Sequence, residues 1–436
     1  MDTSLPHVVV VGAGFGGLRT VHCLRNAAVR ITLVDRRNYH LFQPLLYQVA
    51  TAGLGPTDIA QPVRAILRGQ RNLEFRLAEM TGVDFAAKTL KTSTGDIPYD
   101  RLVLAVGGET NFFGNASLDR NAFGLKDLDD AVRIRNHVLY MFERAVHEND
   151  PEARRALLTF VVAGGGPTGV ECAGAFSELI RLVLIKDYFG LNIKDVRVIL
   201  LEGSNSLLPM FPEKLREAAA GTLWKKFVEV RFGALVADYD GHTVTLKSGE
   251  RIPAETMVWA AGVRAVGVVD RLGLPQDRQG RVKVTATLQV ADHPEVYVIG
   301  DVASAEMGNG QAYPMVAQVA LQQGRLAAAN MVRSLRGGGP AEFRYRDPGT
   351  LATIGRNAAV ARLGRLQFRG WFAWAMWLAV HIVFLIGFRN RLLVLINWAW
   401  DYFFYDRPIR LIMHDGNCPW ERCLRVSPGC ATPPVK

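Results

Sequence analysis

HVVVVGAGFGGLRTVHCLRNAAVRITLVD, residues 7–35, reads as a strand, a glycine turn, a helix and a second strand, in that order. Val8 to Val11 form the β-branched run that a strand buried on both faces requires. Gly12, Gly14 and Gly17 follow in G-x-G-x-x-G spacing, with Gly16 as an additional glycine. The first permits the tight turn, the second lets a pyrophosphate reach the backbone, and the third lets the helix close on the strand. A helix over about Gly16 to Asn26 aims its free N–H groups at the phosphates. The strand from Arg30 ends in Asp35, 23 positions after Gly12, where a carboxylate can accept hydrogen bonds from ribose hydroxyls. The motif alone is weak evidence, but with strand, helix and terminal acid in register it predicts a dinucleotide cradle.

The pattern recurs. Leu158 to Ala163 reads as a strand, Gly164, Gly166 and Gly169 repeat the glycine spacing, Val170 to Ile185 continues as a helix, and the strand Val196 to Leu201 ends at Glu202. The 38 positions from Gly164 to Glu202 exceed the usual ~20, so an extended crossover is expected, with Leu179 to Asn192 supplying the length. Two cradles imply two dinucleotides, and redox chemistry is the commonest reason to hold two. Glu202 would accept from a free 2′-hydroxyl and repel a 2′-phosphate, and Gly203, Ser204 and Asn205 offer no arginine, so the second ligand is expected to be NADH rather than NADPH.

Between and after the cradles, Asn38 to Gly53 is irregular and aromatic, read either as a buried loop packing the first helix or as a cofactor lining. Leu102 to Val106 is a strand leading to Gly107 and Gly108, and Asn121 to Asn149 is helical, with Pro151 closing it. Thr256 to Val263 and Glu295 to Asp301 are further strands, and a helix runs from Pro314 to Leu335.

With 436 residues and 49% apolar content, the chain suits two or three α/β domains. Five cysteines cannot form a disulfide framework and suggest a reducing compartment. No targeting segment is read ahead of the first strand, so the chain is expected to stay where it is made. The charge of +10 is uneven: Ala341 to Lys436 holds 13 Lys or Arg against 6 Asp or Glu, with six of the eight tryptophans. Basic residues among aromatics suit nucleic acid or membrane, and the long apolar runs between them favour membrane over nucleic acid. Trp371 to Phe388 carries no fixed charge over 18 residues but is flanked by arginines on both sides. Leu392 to Tyr405, with Asn390, Asn397 and Asp401 on one face, suits a helix lying in the interface. Glu171, in the first turn of the second cradle helix, could simply complement the helix dipole. Cys172 reads as a small core residue and His381 as a satisfied or interfacial histidine rather than a proton relay. Cys418, Cys423 and Cys430 lack paired metal spacing, and no metal is expected.

Taken together, the two cradles, FQPLLYQVA, GPTGVE ending at Glu171, WAAGV from Trp259, YVIGD from Tyr297, AQVALQQG from Ala317 and HIVFLIGFRNR from His381 resemble the type II NADH dehydrogenases, the non-pumping NADH:quinone oxidoreductases, in their bacterial form. The resemblance implies two Rossmann-like domains plus a C-terminal amphipathic helical membrane-docking region: an FAD domain over 1–120 and 263–336, an inserted NADH domain over 121–262, and a membrane-associating region over 341–436. It implies hydride transfer from NADH to FAD and two-electron reduction of a membrane quinone. Gly12, Gly14, Gly16, Gly17, Asp35 and Asp301 would hold FAD, and Gly164, Gly166, Gly169 and Glu202 would hold NADH. Gly107, Gly262, Gly300 and Ala317 are further cofactor-binding candidates. Glu171 would lie near the nicotinamide and flavin, and Gln318 and Gln322 would serve the quinone. The implied partners are NADH, a membrane quinone, the bilayer surface at the cytoplasmic face of a bacterial inner membrane, and a second copy of the chain. Asp35 departs from the more usual glutamate. The rival readings are a sulfide:quinone-type enzyme, which needs a redox cysteine pair, and a non-catalytic flavin-bound redox sensor.

Overall fold

In the computed structural model, which describes residues 4–308, 310–404, 406–407 and 409–413, the chain forms two compact units. The first comprises the chain up to Leu41, Ala60–Glu109 and Val263–Pro348. The second comprises Phe42–Ile59, Thr110–Gly262 and the chain from Gly349 on. Residues 42–59 and 110–120, within the FAD-domain span that the resemblance implies, group here with the second unit. Cys418, Cys423 and Cys430 lie outside the described residues.

Each unit is built on its own glycine motif. In the first, strands Gln289–Val290, His293–Val298, Arg101–Leu104, His7–Val11, Arg30–Asp35 and Leu73–Leu77 lie side by side, parallel except for the first pair. Val9 pairs with Thr32 on one side and Leu102 on the other. Val8 to Val11 are all buried, as β-branched residues covered on both faces should be. In the second, an all-parallel sheet orders Phe123–Gly124, Thr256–Trp259, Thr159–Ala163, Arg197–Leu201 and Val228–Arg231. In both sheets the strand entering the glycine turn lies between the acid-ended strand and a later returning strand.

The first-unit glycine helix, Phe15–Cys23, crosses the helix Ala317–Leu335 at glycines. A Cβ on Gly324 would overlap the Gly16 carbonyl oxygen, and the Thr20 hydroxyl donates to the carbonyls of Gly16 at 2.9 Å and Gly324 at 3.2 Å. The later helix starts at Ala317, not Pro314, because Val316 is extended (φ −130°, ψ 151°) and its N–H turns back to Pro314.

Helix boundaries in the second unit also move. The long helix is Leu128–His147, opened by a reciprocal Asp127–Asp130 capping box. Pro151 begins a further helix, Pro151–Leu157, instead of ending one, with Asp150 accepting from the N–H groups of Glu152 and Ala153. The second glycine helix, Pro167–Glu178, passes into a π-helical turn, Leu179–Leu184, within the expected long crossover.

After a three-stranded antiparallel sheet come the helices Trp371–Phe384 and Phe388–Phe404. Among the described residues no helix is long and apolar enough to cross a membrane. The Arg391 guanidinium ties the two helices, donating to the carbonyls of Leu385 at 2.7 Å and Val383 at 2.8 Å at the end of the first. The polar face of the second helix points inward. Asn390 donates to the Thr57 carbonyl at 3.2 Å and Asn397 to Asp58 Oδ2 at 3.0 Å, while Leu392, Leu395, Ile396, Phe403 and Phe404 are exposed.

Glycine-to-alanine changes should act in opposite directions at two helical positions. Gly324→Ala forces the crossing apart and should lower stability by about 1–3 kcal/mol. At Gly221, in the helix Glu213–Lys225, a Cβ meets nothing within 4 Å, so Gly221→Ala should raise stability by roughly 0.5–1 kcal/mol. Urea-unfolding midpoints measure both, and equal effects at the two sites would contradict the crossing geometry.

Candidate functional site

The two glycine turns share one geometry. Gly12 (φ +105°) and Gly164 (φ +113°) take a backbone conformation that disfavours side chains. A Cβ on Gly17 would overlap the carbonyl oxygen of Gly12, and one on Gly169 that of Gly164. At the middle glycines, Gly14 and Gly166, a Cβ would meet nothing within 4 Å. The third glycine is therefore set by packing, whereas the space before the second is open to a ligand.

Both strand-end acids hold their own turns. In the first unit Asp35 Oδ2 accepts from the Ala13 N–H at 2.6 Å and Oδ1 from the Arg37 N–H at 2.7 Å. In the second, Glu202 Oε2 accepts from Gly165 at 2.5 Å and Oε1 from Ser204 at 2.7 Å. Burial raises the Asp35 pKa, opposed by the two N–H bonds. A carboxylate oxygen has two lone pairs, so each oxygen keeps acceptor capacity for a ribose hydroxyl.

Other first-unit candidates gather around the same turn. Gly16 packs toward Ile299, and Gly300 (φ +78°) starts the short turn Gly300–Val302 that carries Asp301. The fully buried Gln323, missed in the sequence, accepts from the Gly300 N–H at 2.7 Å and locks that turn to the helix beginning at Ala317. His40, also missed, donates from Nδ1 to the Ala13 carbonyl at 2.9 Å, leaving Nε2 buried without a hydrogen-bond partner. Burial lowers its pKa, which favours the neutral ring. Gly107 has φ +79° and open space at its Cβ position. Gln322 forms a two-way bond with the backbone of Arg346, at 2.8 and 3.0 Å, and Gln318 lies half-buried one turn earlier.

In the second unit Glu171 is buried in the glycine helix, and its Oε1 accepts from the Thr353 N–H at 3.2 Å. Burial pushes its carboxyl up to about 8, opposed by that bond and by the neighbouring Trp377 indole, whose N–H reaches no acceptor in hydrogen-bonding geometry. Burial, and then the Glu171 charge, raise the Cys172 thiol well above its usual range. Gly262 sits against the Phe113 ring.

A cavity of ≈ 110 Å³ opens beside this acid, lined by Tyr47, Thr353, Trp374, Trp377, Asp401 and Arg407 among others. Trp398 Nε1 donates to Gln48 at 2.7 Å, and Gln48 donates to the Tyr47 hydroxyl at 2.9 Å. Asp401 is pushed up to about 7 by burial, which Arg407 opposes and Asp406 and Glu178 reinforce. His381 stacks on Trp377 at 4.0 Å, and burial lowers it to about 4, so it is neutral at pH 7.

Glu171 gives a pH test. Its folded pKa lies above the unfolded one, so the folded state binds the extra proton and stability falls as pH rises from about 4.5 through 8. Glu171→Gln keeps an acceptor for Thr353 and removes the ionisation. Its melting temperature should match wild type below pH 4.5 and exceed it by roughly 2–5 °C above pH 8. A difference independent of pH would place Glu171 in a solvated setting.

The family model for pyridine nucleotide-disulphide oxidoreductases matches residues 6–324, and that for the NDH2 C-terminal domain matches residues 348–405. The type II NADH:quinone oxidoreductase Ndh of Mycobacterium tuberculosis is 40% identical over 407 residues, 90% of this chain and 87% of its own, and NdhA of the same organism is 41% identical over 409, 90% and 86%. The NDH2 structure from Plasmodium falciparum in complex with NADH superposes with TM-score 0.86 at 22% identity, covering 93% of this chain and 99% of that one. The sulfide:quinone oxidoreductase of Aquifex aeolicus follows at 0.69 and 20%, covering 94% and 96%. These two structural likenesses bear on the fold alone. On the family model and the two mycobacterial relatives, the chain belongs to the pyridine nucleotide-disulphide oxidoreductases and, within them, to the type II NADH:quinone oxidoreductases.

Proposed function

We propose that this chain oxidises NADH and reduces a membrane quinone by two electrons, with FAD in the first glycine turn and NADH in the second. The observation that carries the reading is the pair of equivalent turns, each with an open middle glycine and an acid holding its loop. FAD, when bound, supplies the two-electron relay between the nicotinamide and the quinone. The chain's own residues do the rest. Gly14 admits the FAD pyrophosphate to a turn shaped by Gly12, Gly16 and Gly17, and Asp35 and Asp301 take its polar groups, with Gly107, Gly300 and Ala317 lining the site. Gly166 admits the NADH pyrophosphate to a turn shaped by Gly164 and Gly169, with Gly262 nearby, and Glu202 accepts from its ribose. Glu171 holds a proton at pH 7 and can present a neutral carboxyl to the reacting groups. Gln318 donates its amide to a quinone carbonyl. Gln322 supports the same helix face through Arg346.

The quinone dissolves in lipid, and the C-terminal helices suit a bilayer surface. Trp371, Phe372, Phe388, Leu392, Trp400 and Phe403 are exposed, and residues 349–400 hold six arginines and no acid. A monotopic protein on an anionic leaflet fits this face. The cytoplasmic leaflet of a bacterial inner membrane and a homodimer rest on the family resemblance. A sulfide-type reaction needs a reactive thiol pair, and among the described residues the cysteines are the exposed Cys23 and the buried Cys172, both free.

Steady-state NADH oxidation with and without added quinone tests the activity: turnover that does not require quinone would overturn it. Glu202→Ala should weaken NADH binding by ~1.5–3 kcal/mol and narrow the preference over NADPH. Equal use of both nucleotides by wild type would contradict the role of Glu202. Gln318→Ala should raise the KM for quinone several-fold while anaerobic flavin reduction by NADH stays near wild type. Slowing of that first half-reaction with FAD fully bound would remove Gln318 from the quinone site.

A further inference from the structure

The long crossover after the second glycine helix has no part in nucleotide binding. It starts with the π-helical turn Leu179–Leu184, continues through Ile185–Asp187 and bends at Gly190 (φ +93°). Two ties pin its end. Tyr188 packs on Phe142 at 5.4 Å and its hydroxyl donates to Glu143 at 2.9 Å. Asp187 pairs with Arg410 at 3.0 Å, and Arg410 also holds Asp406 at 2.8 Å. Directly beside these ties Phe189 is 89% exposed, the most exposed large hydrophobic side chain among the described residues. The ring is held out in water by ordered neighbours, where it gains no packing.

The crossover is continuous with the C-terminal helices. Leu182 and Val183 line the same cavity as Trp374, Leu378 and Tyr402, and Arg410 follows the helix Phe388–Phe404. We infer that Phe189 is an additional insertion point for an anionic bilayer surface, set by the crossover beside the exposed apolar face of Phe388–Phe404. This rests on the membrane reading above and extends it to a segment of the nucleotide-binding fold. The occupant is lipid rather than a second protein copy because the 349–404 stretch, which shares a cavity with Leu182 and Val183, carries six arginines against one acid, the partly buried Asp401, so that its net positive charge complements anionic headgroups and repels a like surface.

Co-sedimentation of the FAD-loaded full chain with mixed phosphatidylcholine and phosphatidylglycerol vesicles tests it. Phe189→Ser should weaken partitioning about tenfold, the loss expected for removing one inserted aromatic ring. Phe189→Trp, which keeps an interfacial aromatic, should bind like wild type. Both should keep wild-type turnover with a water-soluble quinone, since the ring is solvent-exposed. If wild type binds and Phe189→Ser binds equally, or if both variants lose binding alike, the insertion point is overturned and the membrane reading stands. If wild type does not bind the vesicles, the membrane reading falls and the inference with it. A change in sedimentation coefficient of Phe189→Ser without vesicles would assign the ring to a protein interface and overturn the lipid assignment.

Discussion

In each unit one carboxylate at a strand end accepts the N–H of the residue after the first glycine, and the shape of each turn depends on that bond. Asp35 and Glu202 differ by a methylene, yet the bonds to Ala13 and Gly165 are 2.6 and 2.5 Å. The bond fixes where the loop N–H groups point, and the overlap of the third glycine with the first glycine's carbonyl fixes the helix axis. A ligand meeting such a turn finds its donors already oriented and loses less conformational entropy on binding than a mobile loop would cost.

The second unit adds a different kind of control. Glu171 and Asp401 line or adjoin one cavity, and burial holds both carboxyls largely or partly protonated near neutral pH, whereas His381, which would ordinarily titrate there, is kept neutral. Proton capacity in this region therefore belongs to acids rather than to the histidine.

The strands and glycine turns were legible because they depend on local rules: β-branched runs, fixed glycine spacing, an acid at the strand end. Helix ends were less so. Pro151 fits a first turn as well as it fits a terminator, and only the Asp150 cap decides. Val316 is apolar and fits the helical pattern, so its extended backbone left no mark in the sequence. The setting of Glu171 depends on Thr353, 182 positions later, and Gln323 stood unnoticed beside Gln322 because nothing local shows which amide faces Gly300. The second C-terminal helix was read with the right residues on one face, but a pattern of polar and apolar positions does not say which face meets protein. Asn390 and Asn397 turn inward because Thr57 and Asp58 supply their partners.

That last pairing orders the birth of the molecule. Asn390 meets Thr57 across 333 positions and Asn397 meets Asp58 across 339, so the two sides of the contact leave the ribosome that far apart. The earlier segment waits through that span with its docking partner unmade, and contacts this distant in sequence form slowly. When the helix Phe388–Phe404 arrives, its polar side is already matched by the segment it docks on, and its greasy side is first displayed in the same moment. Translation of the docking segment before the helix thus limits how long a nascent chain carries an unpaired polar face beside an adhesive exterior, which is when premature self-association is most damaging.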